Sequence, residues 1–404
     1  MIKKPNAPFK RAPLHPFSIK ALKKGHPWVT KDEYSNKFSK DTHFIIGTDH
    51  RQNDVALLIN DPTHPQIKAR LWSTKTPLPE EYYNFKHELD NRILLSIKKR
   101  NLPQLMSERQ NFYLVFGEAD FLPALFILLL GEHVLIQSYS SFWDKYKNEI
   151  NKSIKKHLAT LPVKTITYQK RNLESQKQSN AFDKTFVIKE FGINYQIKLD
   201  HYDIGIYTDM SAIRKNLIPY FKKAKNLLNL FSYTGSFSLL GLDQKIGEVV
   251  SVDISNTYNE WFLKNLKLNK QLNPSHHQLL KTSVEESVSD FIKTNKTFEL
   301  IICDPPSFSS SKAKTQNSFK GYEELLPNLE KITAAGGNIV IFINTHKINR
   351  HKFEKKITEI LLKFKLQKIL SIEKTLGLST DCPIIKPFPE GDYLKGIILK
   401  KHED

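Results

Sequence analysis

An acidic residue followed by two prolines ends an apolar run in the sequence FELIICDPP, residues 298–306. Proline fixes φ and has no backbone N–H, so Pro305 and Pro306 predict a short, stiff loop with free carbonyl groups. Those carbonyls and the Asp304 carboxylate are hydrogen-bond acceptors that suit the exocyclic amine of a nucleobase. Phe308 follows closely and could stack on such a base. A simple strand-terminating turn explains the same residues, and the motif alone does not choose between the two interpretations.

A second acidic residue, Asp253, ends the apolar run EVVSVD. It follows a small-residue turn at Gly235 by about 20 residues, the spacing that places a carboxylate on a ribose hydroxyl pair in doubly wound folds. The turn has one glycine, and the G-x-G-x-x-G fingerprint of dinucleotide binding is absent. A nucleoside without a pyrophosphate needs less close approach to the backbone, so the pattern favours S-adenosylmethionine (SAM) over NAD. A plain turn at Gly235 and a strand cap at Asp253 explain the spacing equally well.

Strand and helix patterns alternate around both acidic residues, from about residue 200 to the end of the chain. This alternation indicates an α/β fold with a parallel sheet covered on both faces by helices. The carboxyl ends of parallel strands meet at one edge of such a sheet. We therefore expect Gly235, Asp253 and Asp304 to lie close together.

The N-terminal part of the chain has short apolar runs of β type at 44–47, 54–60 and 67–72. Turn-rich stretches separate them, so they predict a small all-β module. Residues 84–101 have apolar side chains at three-to-four spacing, which indicates a helix. Strand and helix signals are mixed from about 111 to 195, without an evident catalytic constellation. Residues 1–16 are basic and interrupted by prolines, which favours a flexible arm.

The 404-residue chain has 61 basic and 42 acidic side chains, a formal net charge of +19. This surplus attracts polyanions, although a lysine-rich solvated surface has the same composition. With two cysteines, a disulfide framework and a thiolate-rich zinc site are excluded, and we predict no metal site. The low cysteine count fits a reducing cytosol. The N-terminus has no apolar signal core, and the most apolar run, 121–130, is about half as long as a bilayer span. We expect a soluble, cytoplasmic protein.

These motifs resemble those of class I SAM-dependent methyltransferases that act on large-subunit ribosomal RNA. NLFSYTGS, VDISNTYNEWFLKNLKLN and DPPSFSSSK are similar to the guanine-N7 half of the bifunctional large-subunit rRNA guanine methyltransferase. IKALKKGHPWV, FGEADFLPAL and PEGDYLKGIIL resemble the PUA-domain-containing rRNA cytosine-5 methyltransferases. The resemblance implies three parts: a basic arm with a PUA-like RNA-binding β module at 1–83, a middle α/β domain at 84–195, and a Rossmann-like SAM-dependent methyltransferase domain at 196–404.

The resemblance also implies site residues. On the cofactor side these are Phe231, Ser232, Tyr233, Thr234, Gly235, Asp253, Ser283 and Asp304. Ser283 stands where relatives often have an acid that contacts adenine. On the base side, the matched motif is Asp304, Pro305 and Pro306. These three residues, together with Phe308 and Asn344, are the catalytic candidates. The candidate substrate contacts are Asp209, Arg214, Lys312 and Lys347. Ser211 stands where a second arginine is usual, and the two lysines are equally explained as solvated side chains.

The cysteines bear on the base that is methylated. Cytosine C5 accepts a methyl group only after a thiolate adds to C6. The resembling cytosine-5 enzymes have that cysteine at the position of Asn344, and other cytosine-5 enzymes have it at the position of Ser307. Cys303 precedes Asp304 on a strand and faces the opposite side of the sheet, which predicts a buried core position. Cys382 stands where the relatives have histidine, so it inherits no nucleophilic role, although its loop could border the site.

Guanine N7 has a lone pair in the ring plane and loses no proton, so alignment and desolvation suffice for its methylation. We therefore expect a SAM-dependent methyltransferase of 23S rRNA that acts on guanine N7, with guanine N2 or cytosine C5 as alternatives. A non-catalytic RNA-binding assembly factor is an alternative of another class, because Ser211 and Ser283 depart from the family pattern. The expected partners are rRNA or a pre-50S ribosomal particle, with no membrane, and the chain would be a monomer or a homodimer.

Overall fold

A computed structural model describes residues 10–75, 78, 84–171, 185–200, 202–305 and 316–403, with the side chains of 316–318 excepted. The chain divides into two compact units. The N-terminal unit is Met1–Asn180 with Asp381–Gly391, and the C-terminal unit is Ala181–Thr380 with Asp392–Asp404. The division into three domains at 1–83, 84–195 and 196–404 stays a prediction.

A five-stranded sheet forms the first part of the N-terminal unit. Its strands are β1 Lys10–Pro13, β2 Trp28–Thr30, β3 Phe44–Thr48, β4 Asp54–Asn60 and β5 Ile67–Ser73, in the order β1-β3-β4-β5-β2. β1 is parallel to β3, and the other neighbours are antiparallel. Helix α1, Pro16–Lys23, follows β1. The three short strands expected from the apolar runs are confirmed.

Residues 10–13 differ from the flexible arm expected for this part of the chain, because they pair with β3. The burial of Leu14, which is 3% exposed, explains the difference. A Cβ built at Gly47 would lie 2.5 Å from Cδ1 of Leu14, so a side chain at position 47 would displace Leu14 from its present packing. The packing of Leu14 on β3 therefore favours the ordered strand.

The second part of the N-terminal unit is a four-stranded sheet with three helices. The strands are β6 Asn111–Phe116, β7 Leu125–Leu130, β8 His133–Ser138 and β9 Thr165–Lys170, in that order. The helices are α2 Phe85–Lys99, α3 Leu102–Glu108 and α4 Lys147–His157. One hydrophobic core joins this part to the first sheet. In it, the ring centroids of Trp72 and Phe85 are 4.5 Å apart, and those of Phe85 and Phe142 are 5.7 Å apart.

Asp381 belongs to the separate segment of the N-terminal unit, and buried hydrogen bonds tie it to the rest of that unit. Its carboxylate accepts from Arg109 Nη2 (2.5 Å) and from Tyr113 N–H (2.7 Å). Its main-chain carbonyl accepts from Arg100 Nη2 (3.0 Å). Arg100, Arg109 and Asp381 are all nearly inaccessible to solvent. The segment is therefore an integral part of the unit.

A two-stranded and a seven-stranded sheet form the C-terminal unit. The strands are β10 Thr185–Glu190, β11 Ile193–Lys198, β12 Asn226–Leu230, β13 Glu248–Val252, β14 His277–Leu280, β15 Phe298–Cys303, β16 Thr333–Asn344, β17 Leu370–Gly377 and β18 Leu394–Lys401. The helices are α5 Ser211–Lys223, α6 Ser236–Asp243, α7 Asn256–Leu268, α8 Val284–Lys293, α9 Gln316–Lys331 and α10 Arg350–Lys363.

The order of the large sheet is β14-β13-β12-β15-β16-β18-β17. The strands β12 to β16 are parallel, and β18 is antiparallel to both of its neighbours. The chain order reverses between β12 and β15, and ligands of open α/β sheets bind at such a switch point, beyond the carboxyl ends of the strands. The expected Rossmann-like α/β fold is confirmed. The loop after β12 and residues 304–305 after β15 flank the switch point.

The described residues lack two features that would indicate a membrane or a metal ion as a partner. None of the helices among them combines the length and the apolar character needed to cross a bilayer. None of their His, Cys, Asp and Glu side chains form a group of three or more that could hold a metal ion.

Candidate active site

The loop after β12 has an unusual backbone. Phe231 (φ 56°), Tyr233 (φ 50°) and Gly235 (φ 84°) are all in the left-handed region. A Cβ at Gly235 would lie 2.2 Å from Cδ2 of Phe262, so the turn packs on α7 only with glycine there. The N–H of Gly235 donates to the carbonyl of Ser232 (2.9 Å) and closes the turn. Left-handed φ at a non-glycine residue costs about 1–3 kcal/mol, and such strain clusters at functional sites.

The Asp253 carboxylate follows β13, and backbone N–H groups fix its orientation. Tyr233 N–H donates to Oδ2 (2.9 Å), and Ser255 N–H donates to Oδ1 (2.8 Å). The main-chain carbonyl of Asp253 accepts from Asn259 Nδ2 (2.8 Å). A carboxylate has about four acceptor sites, so both oxygens can still accept from a pair of hydroxyl groups. The next residue, Ile254, is 73% exposed and offers an apolar surface beside them.

Ser232 carries a buried polar atom that suits a ligand. Its Oγ is buried without a hydrogen-bond partner among the described residues. Such an atom costs about 1–3 kcal/mol when it stays unsatisfied. The Thr234 hydroxyl differs, because it is fully buried and donates to the carbonyl of Gly205 (2.6 Å). SAM has hydroxyl, amino and carboxylate groups and no phosphate. The one-glycine turn, the Ser232 hydroxyl and the Asp253 carboxylate therefore fit SAM.

The Asp304 carboxyl group follows β15, the strand that pairs directly with β12. Burial and the neighbouring Asp209 carboxylate raise the pKa of Asp304 to about 7, and the Arg214 guanidinium acts in the opposite direction. Asp209 is 8% exposed and accepts a hydrogen bond from the Tyr393 hydroxyl (2.6 Å). Two carboxyl groups thus lie in poorly solvated surroundings, and Asp304 changes its protonation state near neutral pH.

Arg214 lies in a buried ion pair. Its guanidinium donates to both carboxylate oxygens of Glu190, and the Nη2 contact is 3.1 Å long. Nη2 also donates to the carbonyl of Tyr207 (2.9 Å). The Ser211 hydroxyl donates to the same Glu190 carboxylate (2.9 Å). Because Arg214 is 1% exposed, its placement suits support of the neighbouring backbone, and its expected contact with substrate stays a prediction.

Three tyrosines lie beside the turn. The sequence predicted Tyr233 as a cofactor-side residue, but it did not select Tyr207 or Tyr258 as part of the site. The ring of Tyr207 packs on that of Tyr233 at 5.2 Å, and Tyr233 packs on Tyr258 at 4.5 Å. The Tyr258 hydroxyl donates to Asp203 (2.7 Å). Desolvation of the hydroxyl group, and not burial of the whole side chain, is the main cause that raises the pKa of Tyr207, and the charges of Asp203, Asp304 and Asp209 add to it. Tyr207 is 45% exposed. It therefore presents an aromatic surface near Asp304. In the sequence, its position two residues before the candidate Asp209 was the signal that could have identified it as a site residue.

The Ser283 hydroxyl has a role in the fold. It accepts from Glu286 N–H (3.1 Å), and the Glu286 carboxylate accepts from Ser283 N–H (3.4 Å). These reciprocal bonds form a capping box at the start of α8. A contact between Ser283 and adenine stays a prediction.

The remaining base-side candidates are placed as follows. Asn344 is the last residue of β16 and is exposed, as is Lys347. Pro305 is half-buried. Pro306, Phe308 and Lys312 lie outside the described residues, as does Ser307.

Both cysteines are buried. Cys303 is 0% exposed and packs in the core of the C-terminal unit, as expected from its position on β15. Burial is the main cause that raises the pKa of its thiol, and the Asp304 charge adds to it. Cys382 is 2% exposed and belongs to the N-terminal unit. Neither thiol has the exposure of a reactive cysteine.

Comparisons with known proteins agree with this geometry. A family model described as S-adenosylmethionine-dependent methyltransferase matches residues 167–360. Ribosomal RNA large subunit methyltransferase I of Pseudoalteromonas translucida (strain TAC 125) is 27% identical over 405 residues, which are 94% of this chain and 96% of that protein. A provisionally named ribosomal RNA large subunit methyltransferase of Bacillus subtilis (strain 168), YwbD, is 31% identical over 300 residues, 72% of this chain and 74% of that protein.

A solved structure extends the agreement to the fold. A provisionally named methyltransferase, crystallised in complex with SAH, has a TM-score of 0.80 and is 21% identical, with coverage of 97% of this chain and 99% of that one. The fold is therefore shared over nearly the whole length. The turn and the acid after β13 fit SAM, and the chain is similar to YwbD over most of its length. The chain is therefore an enzyme of the family of SAM-dependent ribosomal RNA large subunit methyltransferases.

Proposed function

We propose that this methyltransferase acts on 23S rRNA and methylates a guanine at N7. The names of its relatives support the class of substrate, and the net charge of +19 suits a polyanion. The choice of base rests on a single observation, which is that the chain has no thiol suited to nucleophilic catalysis.

Cytosine C5 methylation needs a thiolate that adds to C6. The chain has two cysteines. Cys303 is fully buried with a raised thiol pKa, and Cys382 is buried in the other unit. Position 344, where the resembling cytosine-5 enzymes have their nucleophile, is an exposed asparagine. This arrangement supports a purine substrate.

SAM supplies a methyl group on a sulfonium, and guanine N7 can attack it without first losing a proton. The work of the protein is then positioning. Asp253 would hold the ribose hydroxyls, and Ser232 would donate to a polar group of the cofactor. Asp304 would accept from N1–H and N2–H of the guanine, which leaves N7 on the opposite edge open to the methyl group.

Tyr207 supports the placement of the base. Its ring packs on Tyr233 of the cofactor turn and is 45% exposed. The charges of Asp304 and Asp209 act on its hydroxyl, so it lies near both. A base splayed out of folded RNA is commonly held by stacking on an aromatic ring. Tyr207 would form one wall of the base site.

Guanine N2 is the second candidate, and the raised pKa of Asp304 favours it. Methylation of an exocyclic amine requires removal of a proton. A carboxyl group with a pKa of about 7 is matched to that task at neutral pH. The same residue would then act as a general base.

Nucleoside mass spectrometry of 23S rRNA from cells with and without the gene tests the proposal. We expect loss of 7-methylguanosine, with restoration by the wild-type gene and none by Asp304→Ala. Loss of N2-methylguanosine would select the second candidate. Loss of 5-methylcytidine would overturn the purine assignment, and unchanged rRNA nucleosides would overturn the proposed substrate.

The five-stranded sheet and the basic segment before it would serve as the PUA-like RNA-binding module. The substrate would be rRNA or a pre-50S particle in the cytoplasm, bound by a monomer or a homodimer. Sedimentation of the purified protein with and without rRNA distinguishes the monomer from the homodimer.

A further inference from the structure

The segment FGEADFLPA, residues 116–124 of the N-terminal unit, takes no part in the site described above. We propose that it is a second RNA contact, in which the exposed ring of Phe121 stacks on an unpaired base. This inference rests on the proposed rRNA substrate and extends it to a separate surface.

The backbone of the segment is strained. Gly117 (φ 53°), Phe121 (φ 57°) and Ala124 (φ 61°) all have left-handed φ. Glycine adopts this region readily, but phenylalanine and alanine do so at a cost. Phe121 is also 56% exposed. A large apolar side chain in a strained conformation at the surface brings the fold no evident gain, and such local conflicts are expected at functional sites.

Buried ion pairs hold the segment in this conformation. The Asp120 carboxylate accepts from Arg100 Nη1 (2.7 Å) and Nη2 (2.5 Å). The Glu118 carboxylate accepts from Arg70 Nη1 (2.8 Å) and from the indole N–H of Trp28 (2.8 Å). Both acids are less than a tenth exposed. The ring of Phe121 is thus presented on a rigid support, which lowers the entropic cost of binding.

The surroundings of Phe121 are cationic and match RNA. Lys99 Nζ lies 5.6 Å from the ring centroid, and Lys98 beside it is exposed. Arg92 Nη1 donates to the carbonyl of Phe121 (2.7 Å). Leu95, on the same face of α2 as Arg92 and Lys99, is 47% exposed and adds apolar surface. A base on the ring with its phosphates at the lysines combines stacking and charge neutralisation.

Filter binding of an unmodified 23S rRNA transcript to the full chain tests the inference, with methyl transfer and Tm measured on the same proteins. Phe121→Ala and Phe121→Gly both remove the ring. We expect both to weaken RNA binding by about tenfold, and Phe121→Tyr to retain affinity. Only glycine relieves the strain, so its Tm should exceed that of the alanine variant by about 2–4 °C.

If Phe121 has a purely structural role, the glycine variant should recover RNA affinity together with its higher Tm. That result would overturn the inference, as would alanine and glycine variants that bind the transcript like the wild type. Weaker binding to a pre-50S particle but not to the naked transcript would assign Phe121 to a protein partner and overturn the RNA contact. A wild-type enzyme that neither binds nor methylates the transcript or a pre-50S particle would instead refute the proposed function.

Gln52→Gly provides the matched control. Gln52 is exposed in the same unit, has φ 66°, and has no aromatic ring. The substitution should relieve strain in the same way and leave RNA affinity unchanged.

Discussion

The Tyr393 hydroxyl donates a 2.6 Å hydrogen bond to the carboxylate of Asp209, although the two residues are 184 positions apart in the chain. Tyr393 precedes β18, and its ring lies 5.5 Å from that of His346 in the loop after β16. Asp209 in turn contributes to the raised pKa of Asp304. Tyr393 thereby connects the loop after β16 with the acidic pair.

Tyr393→Phe should lower kcat for rRNA methylation by about tenfold, because a hydrogen bond to a charged group is worth about 1.5–3 kcal/mol. The Kd for SAM should not change. Steady-state kinetics and calorimetry with SAM measure both quantities. Tyr220→Phe, which removes a hydroxyl bonded to Glu373 at the surface, is the control and should be neutral. An unchanged kcat in Tyr393→Phe would contradict a positioning role.

The pH dependence of the rate should report Asp304. Its pKa is about 7, and the carboxylate is the form that accepts hydrogen bonds or a proton. The rate should therefore rise with pH through an apparent pKa near 7 and stay high above it. Asp304→Asn should lose most activity at every pH and retain SAM binding. A rate that is flat from about pH 5 to 9 would refute the assignment.

Protein stability supplies an independent check on Asp304. A carboxyl group whose pKa is higher in the folded state binds more protons there, so its ionisation destabilises the fold as pH rises from about 4 to 7. Asp304→Asn should thus raise Tm relative to the wild type above pH 7 and have little effect near pH 4. The same Tm difference at both values would indicate an ordinary solvated carboxylate.

Arg214→Met should destabilise the protein by about 3–5 kcal/mol, because it leaves the Glu190 carboxylate buried without its partner. Chemical denaturation measures the loss. The double variant Arg214→Met with Glu190→Leu should recover much of it, since Glu190 then no longer carries an unpaired buried charge. A stable single variant with weakened RNA binding would instead support direct contact with substrate.

Tyr207→Ala should raise KM for rRNA by about tenfold through lost base stacking and leave the Kd for SAM unchanged. Tyr207→Phe keeps the ring and should behave like the wild type. Kinetics at saturating SAM distinguish the two variants. If phenylalanine is as harmful as alanine, the hydroxyl matters and stacking does not.

Cys303→Ala and Cys382→Ala should each retain methyl transfer, because both thiols are buried and no thiolate is required. Single-turnover assays with 23S rRNA check this. Complete loss of transfer by either folded variant, with SAM binding intact, would revive covalent catalysis at cytosine C5.

Local patterns in the sequence located the strand ends and the cofactor turn. Asp253 and Asp304 each end an apolar run, and Gly235 lies in a small-residue turn, so their position at one sheet edge followed from fold rules. The strained backbone of this turn was not predictable. Phe231 and Tyr233 have left-handed φ, and neither phenylalanine nor tyrosine is a residue type that indicates such a conformation.

Contacts between distant parts of the chain explain most of what was missed. Glu190 lies outside every motif, yet it pairs with Arg214 and Ser211. Tyr393 reaches Asp209 only because β18 is placed beside β16. Residues 10–13 resembled a basic arm, and their pairing with β3 depends on the space that Gly47 leaves for Leu14.

The discontinuity of the N-terminal unit has a consequence for synthesis. The buried guanidinium of Arg109 receives its carboxylate from Asp381, which a ribosome translates 272 residues later. In a nascent chain, Arg109 therefore lacks this carboxylate partner until nearly all of the C-terminal unit has been synthesised. The unit that emerges first from the ribosome is completed last, and premature termination anywhere before Asp381 would leave it without this ion pair.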